Sequence, residues 1–343
     1  MIDKKTTNNK PKVSVLMITY NHEGFIQDAI ESILMQKIDF SLELVIGEDY
    51  STDGTKRICL EYQKKYPKII RVLDAGKNLG VKENFLRTLR ACKGEYIAYL
   101  EGDDFWTDPN KLQIQVDFLD ANPNFALCFH RIKTLNMITK EEYVLSDKNI
   151  KEISVINDLC KGNYICANSV VFRNEDERFK KFEADSNVCD WVLWVYKSQS
   201  GNIKYFNNIM STYRVHEGGV FSKQNDLYRY EISLKAAENW KRLIGNTCDT
   251  EYKEFAGFCV IEIIKYLLIE EPADYNSISK YLQKLSVLIK DNPALRKKLR
   301  WIPIKGNGVP KENKVLRIIK FFARPVRMVY RKIRYLVKQV LVK

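Results

Sequence analysis

Four short apolar runs divide the first hundred residues: Val13-Ser-Val-Leu-Met-Ile-Thr19, Leu42-Glu-Leu-Val-Ile-Gly47, Ile69 to Leu73, and Tyr96-Ile-Ala-Tyr-Leu100. Between them apolar residues recur at helical spacing, as in Phe25, Ile26, Ile30, Ile33 and Leu34, or Phe85, Leu86 and Leu89. Pro67 closes the second helical stretch near Tyr66, and a Gly76 to Gly80 turn opens the third. Strands separated by helices cannot pair as hairpins, so this alternation predicts an α/β fold with a mostly parallel central sheet and flanking helices. Ligands of such sheets bind outside the carboxyl ends of the strands. The loops after strands one, two and four, beginning at Tyr20, Glu48 and Glu101, are therefore expected to converge on one crevice.

The loop after the fourth strand carries two adjacent carboxylates, Asp103 and Asp104. Hard cations such as Mg2+ and Mn2+ take oxygen ligands, and Mg2+ keeps one or two protein carboxylates while phosphates and water complete its shell. A diphosphate-bearing substrate is the natural partner of such a site. The alternative is a polar turn before Trp106. Asp49, from the loop after the second strand, comes to the same sheet edge and favours the first reading.

The net charge of +13 raises the question of nucleic acid, but residues 311–343 hold eleven Lys/Arg against one acid, Glu312, leaving +3 for the first 310 residues. The tail also lacks a groove-reading motif, so nucleic acid is not an expected partner. Met1 to Lys12 is polar, no run of about 18 apolar residues occurs, and the eight cysteines include no C-x-x-C pair. We expect a cytoplasmic protein with buried thiols, without signal peptide or membrane span. Further along, residues 111–125 read as a helix stopped near Asn122-Pro123 and Phe125 to Arg131 as a strand. Ser169 to Phe172 is strand-like, Trp191 to Tyr196 an aromatic helix, Ile203 to Phe206 extended, and Asp226 to Lys290 helical. The expected divisions are a polar tail (1–11), a catalytic domain (12–222), a helical region (223–305) and a basic amphipathic tail (306–343).

In order and spacing, four blocks resemble the family 2 glycosyltransferases of the A-type fold. They are Val13-Ser-Val with Thr19-Tyr-Asn, Glu48-Asp-Tyr-Ser-Thr-Asp-Gly54, Asn78-Leu-Gly, and Gly94-Glu-Tyr-Ile-Ala-Tyr-Leu-Glu-Gly-Asp-Asp104. The resemblance covers residues 12–220 and implies transfer of a sugar, with inversion, from a nucleoside diphosphate sugar (uridine is the guess) to a glycan or lipid-linked acceptor in surface polysaccharide synthesis. It implies that Thr19, Tyr20, Asn21 and Glu23 line the nucleotide pocket and that Asp49 accepts a hydrogen bond from the base. Asp104 would be the direct ligand of Mg2+ or Mn2+, with Asp103 bridging ribose and metal. Glu48 stands where the family more often has Asp, and Glu101 is an acidic variant of the metal block.

For the base that deprotonates the acceptor hydroxyl, Asp190 is the candidate: it opens a helix beside Trp191, whose apolar bulk raises a carboxyl pKa. Helix capping is the plain alternative, and Asp185 is the competing acid. His216, between an apparent strand and Gly218-Gly219, can ligate metal or bond phosphate, and its Tyr-Arg-x-His block resembles one that closes on the diphosphate. Arg214 offers phosphate a charge-assisted bond, with a plain surface charge as alternative. Asn78, Lys82 and Asn84 are candidates for the pyrophosphate or sugar, while a turn and an exposed helix face explain them as well. His22 and His130 read as structural. In residues 311–343 apolar positions recur at helical spacing with Arg327, Arg331, Arg334 and Lys338 between them, which suits an anionic membrane interface at the inner face of the cell membrane. A helix packed on the protein itself is the alternative. A processive synthase is disfavoured by the lack of spanning helices, and a non-catalytic nucleotide-binding, membrane-docking module is the rival reading.

Overall fold

A computed structural model describes residues 10–144, 150–174, 190–219, 225–269 and 275–290. Residues 1–9 and 306–343, together with Asp185, lie outside them. Two compact units are present, one of residues 1–159 with 163–222 and one of residues 160–162 with 223–343.

The first unit begins with the strand and helix alternation that the apolar runs imply: β1 (Val13–Thr19), α1 (Ile26–Leu34), β2 (Leu42–Glu48), α2 (Thr55–Lys65), β3 (Ile70–Asp74), α3 (Gly80–Ala91) and β4 (Tyr96–Tyr99). All seven residues of β1 are buried. A strand covered on both faces cannot alternate apolar with polar, which is why these runs are nearly continuous. Helix α1 turns Ile26, Ala29, Ile30 and Ile33 inward at three- and four-residue intervals, each large aliphatic contributing about 1.5–3 kcal/mol by leaving water.

The chain continues through β5 (Phe105–Trp106), α4 (Lys111–Ala121), β6 (Phe125–Asn136), β7 (Glu142–Val144), β8 (Ile153–Ser154), α5 (Ile156–Leu159), a 3-10 turn (Ala167–Ser169), β9 (Val171–Arg173), α6 (Asp190–Lys197) and β10 (Asn202–Val215). The sheet order is β3-β2-β1-β4-β9-β6-β10-β5, with β7 on β6 and β8 on β10. Strands β3, β2, β1 and β4 are mutually parallel, β9 opposes both neighbours, and β6 and β10 pair in parallel. With β6 and β10 turned the same way as the first four, six of the ten strands share one direction.

Two sequence readings are extended. The strand expected over Ile203 to Phe206 runs from Asn202 to Val215, with irregular register around Ile209. The polar Asn207 and Asn208 hide this continuity in the sequence: they fall at a break in the pairing with β6, which resumes at Ile209. The strand from Phe125 likewise continues past Arg131 to Asn136.

In the second unit α7 (Asp226–Ile244), α8 (Asp249–Ile269) and α9 (Tyr275–Lys290) pack around Leu234, Val260, Ile263, Ile278 and Leu285. Asn225 caps α7, its side chain accepting from the Tyr228 amide at 2.9 Å. Among the described residues no helix is long and apolar enough to cross a membrane. The seven described cysteines are free, and all but Cys166 are buried.

Candidate active site

The parallel register sets Thr19 opposite Glu48, so the loops after β1 and β2 leave the sheet side by side. Asn21 ties them together: its amide donates to Ser51 Oγ (3.0 Å) and its side-chain oxygen accepts from the Thr52 amide (2.8 Å). Buried Glu48 accepts from the amides of Tyr50 (3.2 Å) and Ser51 (2.7 Å) and fixes the second loop from below. The Glu23 amide donates to Asp53 at 3.0 Å. Tyr20 remains 43% exposed at this mouth.

Asp49 reaches across to α3. Its two oxygens accept from the amides of Leu79 (2.8 Å) and Gly80 (2.9 Å), the carboxylate satisfying donors that a helix start leaves without intrahelical partners. Asn78 completes the junction by donating to the Asp49 carbonyl at 3.2 Å. Asn84, 2% exposed, donates to the Gly47 carbonyl (2.8 Å) and accepts from Arg87 Nε (2.9 Å), so both ends of its amide are taken within the body of the fold. Lys82, half-buried on the first turn of α3, makes no hydrogen bond or ion pair among the described residues.

The acidic loop crosses β1 closely. The Gly102 amide donates to the Ile18 carbonyl at 3.0 Å, and a Cβ at Gly102 would lie 2.6 Å from Thr19 Oγ1, a distance that only glycine avoids. Beyond it the chain turns, the Asp104 amide donating to the Glu101 carbonyl at 3.2 Å, and the side chains of Asp103 and Asp104 diverge.

Asp104 turns inward and is 1% exposed, with Oδ1 accepting from the Arg214 amide (2.8 Å) and Oδ2 from Asn168 Nδ2 (2.8 Å). Burial, with the charges of Asp103 and Glu101, pushes its carboxyl well above the ordinary value. Asp103 turns to the crevice, its Oδ2 lying 3.1 Å from His216 Nε2 and 3.7 Å from His22 Nε2. Burial raises its pKa, but the His216 hydrogen bond and the His22 ring outweigh that and hold it below the usual range. His216 is oriented by Phe25, 4.5 Å between ring centroids, and by the Gly218 amide donating to Nδ1 at 3.2 Å. His22 is set by Thr19, whose Oγ1 is 3.2 Å from Nδ1.

Glu101 accepts from the Tyr99 hydroxyl at 3.2 Å, and burial together with the charges of Asp103 and Asp190 pushes its pKa up to about 8. Asp190 opens α6, with Oδ1 accepting from the Trp191 amide (2.6 Å) and Oδ2 from Asn163 Nδ2 (3.4 Å), and burial raises its pKa also. The Arg214 guanidinium is 7% exposed; it pairs with Asp28, donates to the Asp103 carbonyl (3.1 Å) and lies 4.2 Å over the Phe105 ring. That geometry braces the acidic loop.

The structure thus brings Thr19, Asp103, His216, Glu101 and His22 together, places Asp190 close enough for its charge to act on Glu101, and commits Asp104, Asn84 and Arg214 to internal partners. Pattern reading left His22 as structural. Its place in the loop after β1, at the same sheet edge as Asp103, was the signal available, whereas nothing in the sequence marks Asn168. His130 is buried, Nδ1 lying 2.9 Å from the Arg131 carbonyl.

Among the described residues no group of three or more His, Cys, Asp and Glu side chains is arranged to hold a metal ion by itself. The donor set nevertheless fits a hard cation shared with a ligand. Two neighbouring ligands of an octahedral ion, each about 2.1 Å from it, stand about 3 Å apart, and Asp103 Oδ2 and His216 Nε2 are 3.1 Å apart. Mutual repulsion among three crowded acids is what a cation relieves.

Known proteins give these features a context. Over 209 residues the chain is 34% identical to an uncharacterized protein of Mycobacterium tuberculosis, spanning 61% of this chain and 60% of that protein's length. It is 36% identical over 220 residues to TuaG of Bacillus subtilis, whose name assigns it to teichuronic acid biosynthesis, covering 64% of this chain and 84% of TuaG. Among solved structures, the mannosyltransferase PcManGT of Pyrobaculum calidifontis, in complex with GDP-Man and Mn2+, superposes with a TM-score of 0.54 at 16% identity over 97% of this chain and 88% of that one. The shared architecture is the A-type glycosyltransferase fold. With the sequence model described as glycosyl transferase family 2 matching residues 14–182, the chain belongs to glycosyl transferase family 2.

Proposed function

We propose that this chain transfers a sugar from a nucleoside diphosphate sugar to a hydroxyl of a glycan or lipid-linked acceptor, with inversion, and that Asp103 and His216 would hold Mg2+ or Mn2+. The observation that carries the reading is the 3.1 Å approach of Asp103 Oδ2 to His216 Nε2 at the carboxyl edge of the parallel strands. The ligand pair is Asp103 with His216 rather than Asp104, because the Asp104 carboxylate points away from His216 toward Asn168 and the Arg214 backbone. When bound, the cation neutralises the departing diphosphate. Asp190, its carboxyl raised by burial, takes the proton of the acceptor hydroxyl as that oxygen bonds to the anomeric carbon. The bond from that carbon to the phosphate oxygen breaks on the opposite face, so a single displacement inverts the centre. Tyr20 and the Asn21 to Glu23 loop face the nucleoside, and Thr19 and His22 position Asp103. Asp49 fixes α3 beside the crevice and keeps a spare lone pair on each oxygen for the base.

TuaG and the basic, amphipathic pattern of residues 311–343 support an acceptor in surface polysaccharide synthesis, met at an anionic membrane surface. The test is transfer of radiolabelled sugar from a panel of UDP-, GDP- and dTDP-sugars with Mn2+. Turnover that EDTA and Asp103→Asn each abolish supports the reading; no turnover or hydrolysis with any donor contradicts it.

A further inference from the structure

Tyr50 holds a backbone conformation that a bulky side chain rarely adopts, with φ of 63°. Left-handed backbone at a large residue is an outlier that persists only where the surroundings over-determine it. They do so here. Its own amide and that of Ser51 are both held by Glu48, and Ser51 and Thr52 are both tied to Asn21. Glycine adopts this conformation without penalty, so an aromatic residue here calls for a use of the ring. The fold makes little use of it. Tyr50 is 48% exposed, its hydroxyl has no hydrogen-bond partner among the described residues, and Lys56 Nζ, 5.9 Å from the ring centroid, is paired with Asp74.

Across the tied loops stands Tyr20, also exposed and followed by Asn21 with φ of 55°. Two exposed aromatic side chains thus stand at the carboxyl ends of two neighbouring parallel strands, on loops that hydrogen bonds lock to each other. From this juxtaposition we infer that Tyr50 is a donor-binding residue, its ring stacking with Tyr20's help on the nucleobase of the donor. The inference rests on the nucleotide-sugar reading of the preceding section. Stacking on a base requires no hydrogen bond from the ring, in keeping with the unpartnered hydroxyl.

The test is calorimetric titration of UDP, GDP and inorganic pyrophosphate, each with Mn2+, into the full chain and its Tyr50→Gly and Tyr50→Phe variants, together with their melting temperatures. Tyr50→Gly relieves the backbone and raises Tm, yet weakens the nucleoside diphosphates about tenfold, while pyrophosphate stays within about twofold. Tyr50→Phe keeps the nucleotide affinity within about twofold of the wild type. A purely structural tyrosine would move Tm without separating the nucleotides from pyrophosphate. If wild type binds nucleotides and Tyr50→Gly leaves them unchanged, or weakens pyrophosphate equally, the Tyr50 assignment is overturned while the nucleotide reading stands. If wild type binds no nucleotide, the reading beneath it falls, and this inference with it.

Discussion

Two neighbouring aspartates divide the work because the turn from Glu101 to Asp104 sends their side chains to opposite sides. Asp103 faces the crevice with His216 and His22, and Asp104 faces Asn168 and the β10 backbone. Sequence alone cannot say which of two adjacent acids turns inward, since that depends on the pairing of β5 with β10 about a hundred residues later. The substitution Asp104→Asn sets an amide donor against a donor and leaves a buried group unsatisfied, at about 1–3 kcal/mol. It should lower Tm by several degrees in differential scanning fluorimetry, and an unchanged Tm would contradict the inward placement. Glu101 gives a pH signature. Its folded pKa, near 8, lies above the ordinary 4.5, so the folded state binds the extra proton between those values and stability falls as pH rises through that window. Glu101→Gln removes this slope: the variant should melt above wild type at pH 8, with the gap closing by pH 5.

At the scale of elements, α4 carries a constraint that pattern reading misses. The helix was legible from its apolar residues, but Lys111 at its first position is 0% exposed, donating to Gln115 Oε1 at 2.8 Å and lying 4.1 Å over the Trp106 ring. Lysine at a helix start reads as surface, and only packing against β5 shows otherwise. Burial lowers its pKa to about 7. The unfolded chain holds the proton up to about 10.5, so this group makes stability rise with pH between about 7 and 10.5, opposite in sign to Glu101. Lys111→Met keeps the stem's volume without the charge and should raise Tm at pH 7, with the gain shrinking toward pH 10. Strand β10 shows the same limit of local pattern: four residues of it were legible as extended and the strand is fourteen residues long, because its hydrogen bonds go to residues far away in the chain.

For the whole molecule, the order of strands and helices through residue 121, the two-residue β5 apart, was legible because a two-sided buried sheet demands near-continuous apolar strands, and the topology then dictates which edge holds the loops. What the sequence could not supply was how the strands of the second half pair, where a reversed β9 and a long β10 bring Asn168 and His216 to the first half's carboxyl edge. The central proposal concerns that meeting: Asp103 and His216, 113 residues apart in sequence and 3.1 Å apart in the fold, would hold one cation with the donor diphosphate. The direct measurement is calorimetric titration of Mn2+ into the protein saturated with nucleoside diphosphate, for wild type, Asp103→Asn, His216→Ala and the double variant. Each single substitution is expected to weaken Mn2+ by at least about tenfold, with the double variant little worse than either, since ligands of one ion are coupled. Wild-type Mn2+ affinity in both single variants, or full additivity in the double, would contradict a shared site.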